Sequence, residues 1–353
     1  MSEEMCNVRD FGAKGDGQAD DTAAIQRAID TAAEKQAAAF VPPGKYLCST
    51  LKLRPYTDLR GIATYGYRSP GGSVLQLADP KAKCLLDITL AIGCGINGLC
   101  LEGGNLGEGV HGILLDKPDY GKEEDTFRIE HCKVSRFTGD AMRFERVWCF
   151  SVRHSHAFVN KGCGIRVRGW DGFILDCWLS GNTGAGYGAY DENASITMTG
   201  NRIEWNAAGG IVVHGGSHYN VTGNYIDRCG ASGIALLRRG HGCSQFSITG
   251  NVIYRSGRWS EPGTIESAHA RFDGTQGLAF VGNTLVAGRD DGGTGLWSPS
   301  YGIVLHELSN AVIKDNVLHH AALRELLLDE GGHGGGLVLQ DNPGCLKVVE
   351  EKV

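Results

Sequence analysis

Between Phe127 and Tyr219 the chain repeats itself at one fixed interval. FRIEHCKV starts at Phe127, FSVRHSHAF at Phe150, FILDCWLS at Phe173, ITMTGNRIEW at Ile196 and YNVTGNYIDR at Tyr219, each 23 residues after the last. A unit this short cannot bury a core alone, so repeats of about 20–30 residues stack into a solenoid. Within each repeat apolar and polar residues alternate, as in Ile196-Thr197-Met198-Thr199, which is the period of a strand. A second alternation follows about 15 residues on, at Gly164-Ile165-Arg166-Val167-Arg168, Gly210 to His214 and Gly233 to Leu237. Tight-turn pairs punctuate the coils: Gly200-Asn201, Gly223-Asn224, Gly250-Asn251, Gly282-Asn283, Asp315-Asn316 and Asp341-Asn342. Gly, Asn and Asp tolerate the left-handed backbone of sharp turns. No helical pattern interrupts the repeats. Two or three short strands per coil therefore predict a parallel β-helix, with the asparagines as a structural ladder.

The predicted organisation is one elongated domain over 1–353: an N-terminal cap and first coil at 8–45, coils over 46–320 and a C-terminal cap at 321–353. In the first of these, VRDFGAKGDGQADDTAAIQRAID (8–30) has the glycines of a phosphate loop but no GK[ST], and Asp20 and Asp21 would repel an anion. It reads instead as a helix capped by Asp20 or Asp21, with Ile25, Ile29 and Ala33 on one face, closing the open end of the solenoid. At the other end AALRELLLDE (321–330) reads as a short helix.

The 53 glycines among 353 residues suit many turns. A net charge of −6 with interspersed signs argues against nucleic acid or a membrane surface as partner. The start, MSEEMCNVRD, does not read as a signal peptide. The protein is expected in the cytoplasm, or in the periplasm or outside the cell after loss of a leader. The twelve cysteines lack CxxC spacing and a paired histidine motif, so no metal site is assigned. Most fall on apolar strand positions as small hydrophobes, and disulfides remain an alternative for some.

NVRDFGAKGDG followed by DDTAAIQ and VPPGKY resembles the N-terminal signature of the pectate-lyase-like superfamily of right-handed parallel β-helices. INGLCLEG (96–103) resembles one of its coils. The resemblance implies an all-β, single-stranded right-handed parallel β-helix with an N-terminal capping helix. It also implies a carbohydrate substrate lying in a groove along a strand face. Members include hydrolases, lyases, epimerases and phage tailspikes, so the resemblance alone names no reaction. Side-by-side packing of such helices makes trimers, and the expected state is a monomer or a homotrimer.

The outward positions of the second alternation stack, at a period of 23, into two columns: Arg143, Arg166, Ala189, Val212, Ala235, and Glu145, Arg168, Asp191, His214, Leu237. Glu266 and His306 fall near them. Neighbouring coils lie ~4.8 Å apart, which sets Glu145 and Asp191 roughly 9–10 Å apart, near the ~6.5–9.5 Å of inverting glycosidases. Asp191 and Glu192 form a second candidate pair, with His214 as relay. Arg143, Arg166 and Arg168 suit the carboxylates of an acidic sugar. The alternative is a salt-bridge ladder that keeps the face soluble. Glu204 and Asp227, 23 apart, form another stacked pair on a different face; the alternative for them is a solvated edge.

Intervals lengthen after Tyr219, and the added segments carry Trp259 and Trp297, expected either as sugar-stacking walls of the groove or as packing residues. Arg238 and the Arg239-Gly240-His241-Gly242 stretch lie at its rim; His241 weakly resembles the GHG motif of galacturonase-type hydrolases. Tyr190, Asp191 and His214 partly echo the Tyr–Asp–His pattern of epimerases. Three functions remain open. A glycoside hydrolase using Asp191 with Glu145, Glu192 or Glu204 is preferred. The alternatives are a lyase or C5-epimerase on uronates and a non-catalytic carbohydrate-binding β-helix. No cofactor is expected, and calcium enters only on the lyase reading.

Overall fold

A computed structural model describes residues 5–62, 66, 71–258, 260–287 and 298–347. The chain divides into two compact units, Met1–Phe173 and Ile174–Val353. Apart from one α-helix and a 3-10 turn at Val8–Phe11 among the described residues, both are parallel β-helices with three strands per coil.

In the first unit the helix, α1 (Thr22–Lys35), buries Ala24, Ile25, Ala28, Ile29 and Ala32. Of the two acids ahead of it, only Asp20 bonds a helix N–H, while Asp21 holds the preceding loop. Asp20 accepts the Thr22 N–H at 3.0 Å. Asp21, which is buried, accepts the N–H groups of Lys14 at 2.7 Å and Gly15 at 3.0 Å. A carboxylate thus fills the place a phosphate would take. The Gln26 amide donates to the Lys52 carbonyl and accepts the Lys52 N–H, so the helix flank completes the edge of the first coil. The stacked strands include Leu51–Lys52, Cys84–Asp87, His111–Asp116 and Met142–Arg153, in parallel register.

In the second unit the first strand of each coil runs through Tyr187–Ala189, Ile211–His214, Ile234–Leu237, Ala268–Asp273, Tyr301–His306 and Glu325–Asp329. The last of these overturns the helix expected at 321–330. An exposed edge strand offers its unpaired N–H and C=O groups to that segment, and pairing with it outweighs the segment's helical propensity. A second row starts at Asn193–Thr199 and Ser217–Thr222, and a third at Trp178–Ser180 and Arg202–Glu204.

The predicted ladder is present. From Asn201 through Asn224, Asn251, Asn283 and Asn316 to Asn342, each amide donates to the next side-chain oxygen at 2.8–3.0 Å. That oxygen also accepts the backbone N–H of the preceding asparagine. The residue before each has positive φ: Gly200, Gly223, Gly250 and Gly282 at 63–69°, Asp315 at 58° and Asp341 at 49°. The Gly-Asn and Asp-Asn pairs follow directly from that geometry.

Phe127 and Phe150 stack in register in the core of the first unit. Phe173 does not continue this row: it is 45 % exposed, and Ile174 is buried instead. The twelve cysteines are free thiols, ten of them buried. Among the described residues no helix is long and apolar enough to cross a membrane.

Candidate functional site

The outward face of the first strand row in the second unit gathers the ionisable side chains. Its register differs from the 23-residue expectation. Gly188 pairs with Val212 and Ala189 with Val213, an offset of 24. Ala189 is therefore fully buried rather than outward. The next residue, Tyr190, comes to His214, with ring centroids 5.3 Å apart at 60°. Asp191 lies one residue beyond that column, half-exposed, 3.4 Å from Arg239. Arg239 also donates to the Tyr190 carbonyl. Glu192 is exposed.

Further along, His214 stacks over Leu237, and Asp273 over His306. His306 Nδ1 lies 2.9 Å from Asp273 Oδ1. Arg271, in the neighbouring column, pairs with Glu266 at 3.1 Å. Arg238 pairs with Glu307. A Cβ at Gly274 would fall 2.6 Å from Arg238 Nε, and Gly274 has φ +65°, so a side chain here would be strained and would displace the guanidinium. His241 is exposed and lies over Gly215. Trp259 and Trp297 lie outside the described residues.

The environment pushes two histidines apart. Burial first, then the Arg239 and Arg271 charges, lowers the pKa of His214, so it is neutral at pH 7 and able to take a proton. The hydrogen bond that His306 donates to Asp273 raises that of His306. Such divergence is the mark of groups set up for different roles. Beneath the face, the buried Asn193 amide holds the carbonyls of Asp191 and, at 3.1 Å, His214. Its oxygen accepts from Tyr219, which bonds to Tyr187 at 2.9 Å. This network fixes the backbone that presents Tyr190 and His214.

Asp191, Glu266 and Glu307 are each paired with an arginine, and Asp273 with His306.

In the first unit Arg143 and Glu145 are an ion pair at 2.8 Å. Asp140 lies 3.8 Å from Arg143 and 3.7 Å from His111. His111 Nδ1 accepts the Asp140 N–H, which leaves its proton on Nε2. Arg166 and Arg168 alternate with buried Ile165 and Val167, as expected. Glu145 thus belongs to an ionic row, and it and Asp191 fall in different units.

Glu204 and Asp227 pair in register on the third row of the second unit. They are not a solvated edge: both are under 5 % exposed. Glu204 accepts from Trp178 Nε1 at 2.7 Å and Arg202 at 2.8 Å. Asp227 is paired with Arg228 at 2.6 Å through Oδ2, while Oδ1 has no hydrogen bond. Burial pushes the Asp227 pKa up. Flanking Tyr225 and Tyr254 stack under the Arg202 and Arg228 guanidinium groups.

Arg271, Asp273, Glu307 and Asn193 were not singled out from the sequence, and Arg239 was named only within the rim stretch. The alternation Ala270-Arg271-Phe272-Asp273, with the first and third buried, carries the signal for two of them.

Two family models match the chain. Residues 5–67 match "Rhamnogalacturonase A/epimerase, pectate lyase-like", and residues 149–352 match "Right handed beta helix region". Mannuronan C5-epimerase AlgE5 of Azotobacter vinelandii is 26 % identical over 244 residues, covering 60 % of this chain and 23 % of that protein. A probable glucan endo-1,3-beta-glucosidase of Arthroderma benhamiae is 28 % identical over 209 residues, covering 54 % and 21 %. The chain thus spans under a quarter of the length of these curated relatives. Among solved structures, the A-module of mannuronan C-5 epimerase AlgE4 of Azotobacter vinelandii superposes with a TM-score of 0.73 at 20 % identity, over 97 % of this chain and all of that one.

Proposed function

We propose that this chain, which belongs to the right-handed β-helix family of the pectate-lyase-like superfamily, is an enzyme that moves the C5 proton of uronate residues in a polysaccharide. Epimerisation is the expected outcome, with elimination as its close relative. The observation that carries this reading is the Tyr190–His214 contact, beside Arg239 and Arg271. The C5 proton is acidic only when charge can spread into the adjacent carboxylate. Guanidinium groups such as Arg239 and Arg271 bind a carboxylate bidentately and stabilise that charge. In this reading neutral His214 takes the proton from one face of C5 and Tyr190 supplies one to the opposite face, which inverts the centre. Asp191 orients Arg239. The relatives named as mannuronan C5-epimerases support uronate polymers as the substrate class.

The preferred expectation from sequence, hydrolysis by paired carboxylates, has less support on this face, where Asp191, Glu266 and Glu307 are paired with arginines and Asp273 with His306. A hydrolytic reading moves to Glu204 and Asp227, although these too are paired with arginines, Arg202 and Arg228. They sit on adjacent coils, about 4.8 Å apart in backbone. The raised Asp227 pKa favours it as an acid.

The test is incubation with mannuronan and with neutral β-glucan, following C5 configuration by proton NMR, unsaturated uronate by ultraviolet absorbance, and reducing ends. Inverted C5 centres on mannuronan, lost in Tyr190→Phe, support the proposal. Reducing ends alone, lost in Glu204→Gln, would replace it with the hydrolase.

A further inference from the structure

The solenoid period brings three soft or borderline donors together in a place that no sequence spacing reveals. Strand Leu318–His319 pairs in parallel with Gly344–Cys345, and His319 stands opposite Cys345. Successive strand residues ordinarily point to opposite faces. Here His320 has φ 50°, the same left-handed corner that Trp205, Arg228 and Arg255 occupy in earlier coils, and its ring turns back toward the same side. Cys345 Sγ then lies 4.0 Å from His319 Nδ1 and 3.7 Å from His320 Nδ1. Donor atoms of the three residues all lie within 4.8 Å of one another.

Those distances suit one ion. With zinc–sulfur bonds of ~2.3 Å and zinc–nitrogen bonds of ~2.0–2.1 Å, a tetrahedral centre separates its sulfur and nitrogen donors by roughly 3.6 Å. Thiolate plus two imidazoles suits zinc rather than calcium or magnesium, which prefer oxygen. His319 and Cys345 are exposed, so an ion can enter without opening the core. His320 Nδ1 also lies 3.2 Å from the Leu346 carbonyl; metal binding there moves the ring proton to Nε2 and gives up that contact.

We propose that His319, His320 and Cys345 form a zinc site that clasps the last coil to the one before it. Gln340, Gly344 and Cys345 are exposed and contribute little apolar burial, so a cross-coil clasp supplies what packing does not. Three protein ligands leave a fourth position to water. None of these residues belongs to the Tyr190–His214 face, so the outcome is independent of the function proposed above.

The experiment is a titration of the full chain, reduced and metal-free, with Co²⁺ as a spectroscopic probe, followed by Zn²⁺ displacement. Wild type is expected to bind one Co²⁺ with a thiolate-to-cobalt charge-transfer band that Zn²⁺ abolishes. Cys345→Ser loses the band, and both Cys345→Ser and His319→Gln weaken binding at least about 100-fold, since even the outer partners of metal ligands are worth about 10–100-fold. Zinc raises the melting temperature of wild type and not of Cys345→Ser. A wild type without the band, or the same band in Cys345→Ser, overturns the proposal.

Discussion

Tyr190 and His214 meet edge to face across neighbouring coils, 5.3 Å between ring centroids, because Gly188 pairs with Val212 rather than Ala189. If this contact carries proton transfer, His214→Asn and Tyr190→Phe should each lower kcat by about 10²–10⁴, the ordinary worth of a general acid or base. Their melting temperatures should stay near wild type. Initial rates and thermal melts on the same preparations check both halves.

Gly188 makes room for the Tyr190 ring: a Cβ there would lie 2.7 Å from Tyr190 Cε2. Gly188→Ala is expected to push the ring off His214. Activity should fall toward that of Tyr190→Phe, and the double variant should be no worse than either single one. Additive losses would place Gly188 outside this contact.

The acid limb of kcat/KM follows His214. Its pKa is lowered, chiefly by burial, so it lies below the ordinary histidine value of about 6.5. The base is therefore still unprotonated at pH 7, and activity is lost only as the pH falls through the lowered value. Arg239→Gln removes a cationic neighbour of His214 and should shift this limb to higher pH while raising KM. A pH–rate profile of the two proteins is the measurement.

Two other buried histidines govern acid stability. Burial lowers His269 to about 3 and His156 to about 4. Between the unfolded histidine pKa and these values the unfolded chain binds protons that the native protein refuses. Stability therefore falls as the pH drops below about 6.5, by about 1.4 kcal/mol per pH unit for each histidine. Denaturant melts at pH 7, 6 and 5 should show this slope, and His269→Phe should reduce it by about half.

Asn251 sits mid-ladder and accepts both the backbone N–H and the amide of Asn224. Asn251→Ala leaves two buried donors without that acceptor, at about 1–3 kcal/mol each. A loss of roughly 3 kcal/mol or more by denaturant melt is expected. A change below about 1 kcal/mol would mean that water replaces the amide.

The coil, the asparagine ladder and the capping helix were legible because each rests on a local pattern: period 2, a positive-φ turn pair, an acid-capped apolar stripe. The site was legible only in part. His214 and Tyr190 were named, but a fixed period of 23 set Asp191 in the column that Tyr190 occupies, since the segment between Tyr187 and Ile211 carries one extra residue. Arg238 and Glu307, 69 residues apart, meet only after three coils of differing length are stacked. Leu326-Leu327-Leu328 carries no alternation, which hid an edge strand. Glu204 and Asp227 read as surface acids because their burial comes from the aromatic rings and guanidinium groups of neighbouring coils.

The most direct test of proton transfer at C5 is turnover of mannuronan in D₂O, with deuterium at C5 read by NMR for wild type beside His214→Asn. The account predicts deuterium in the inverted residues of the wild-type product and none above background with the variant. Undiminished deuterium incorporation by His214→Asn, or wild-type chain cleavage without any deuterium at C5, would contradict it.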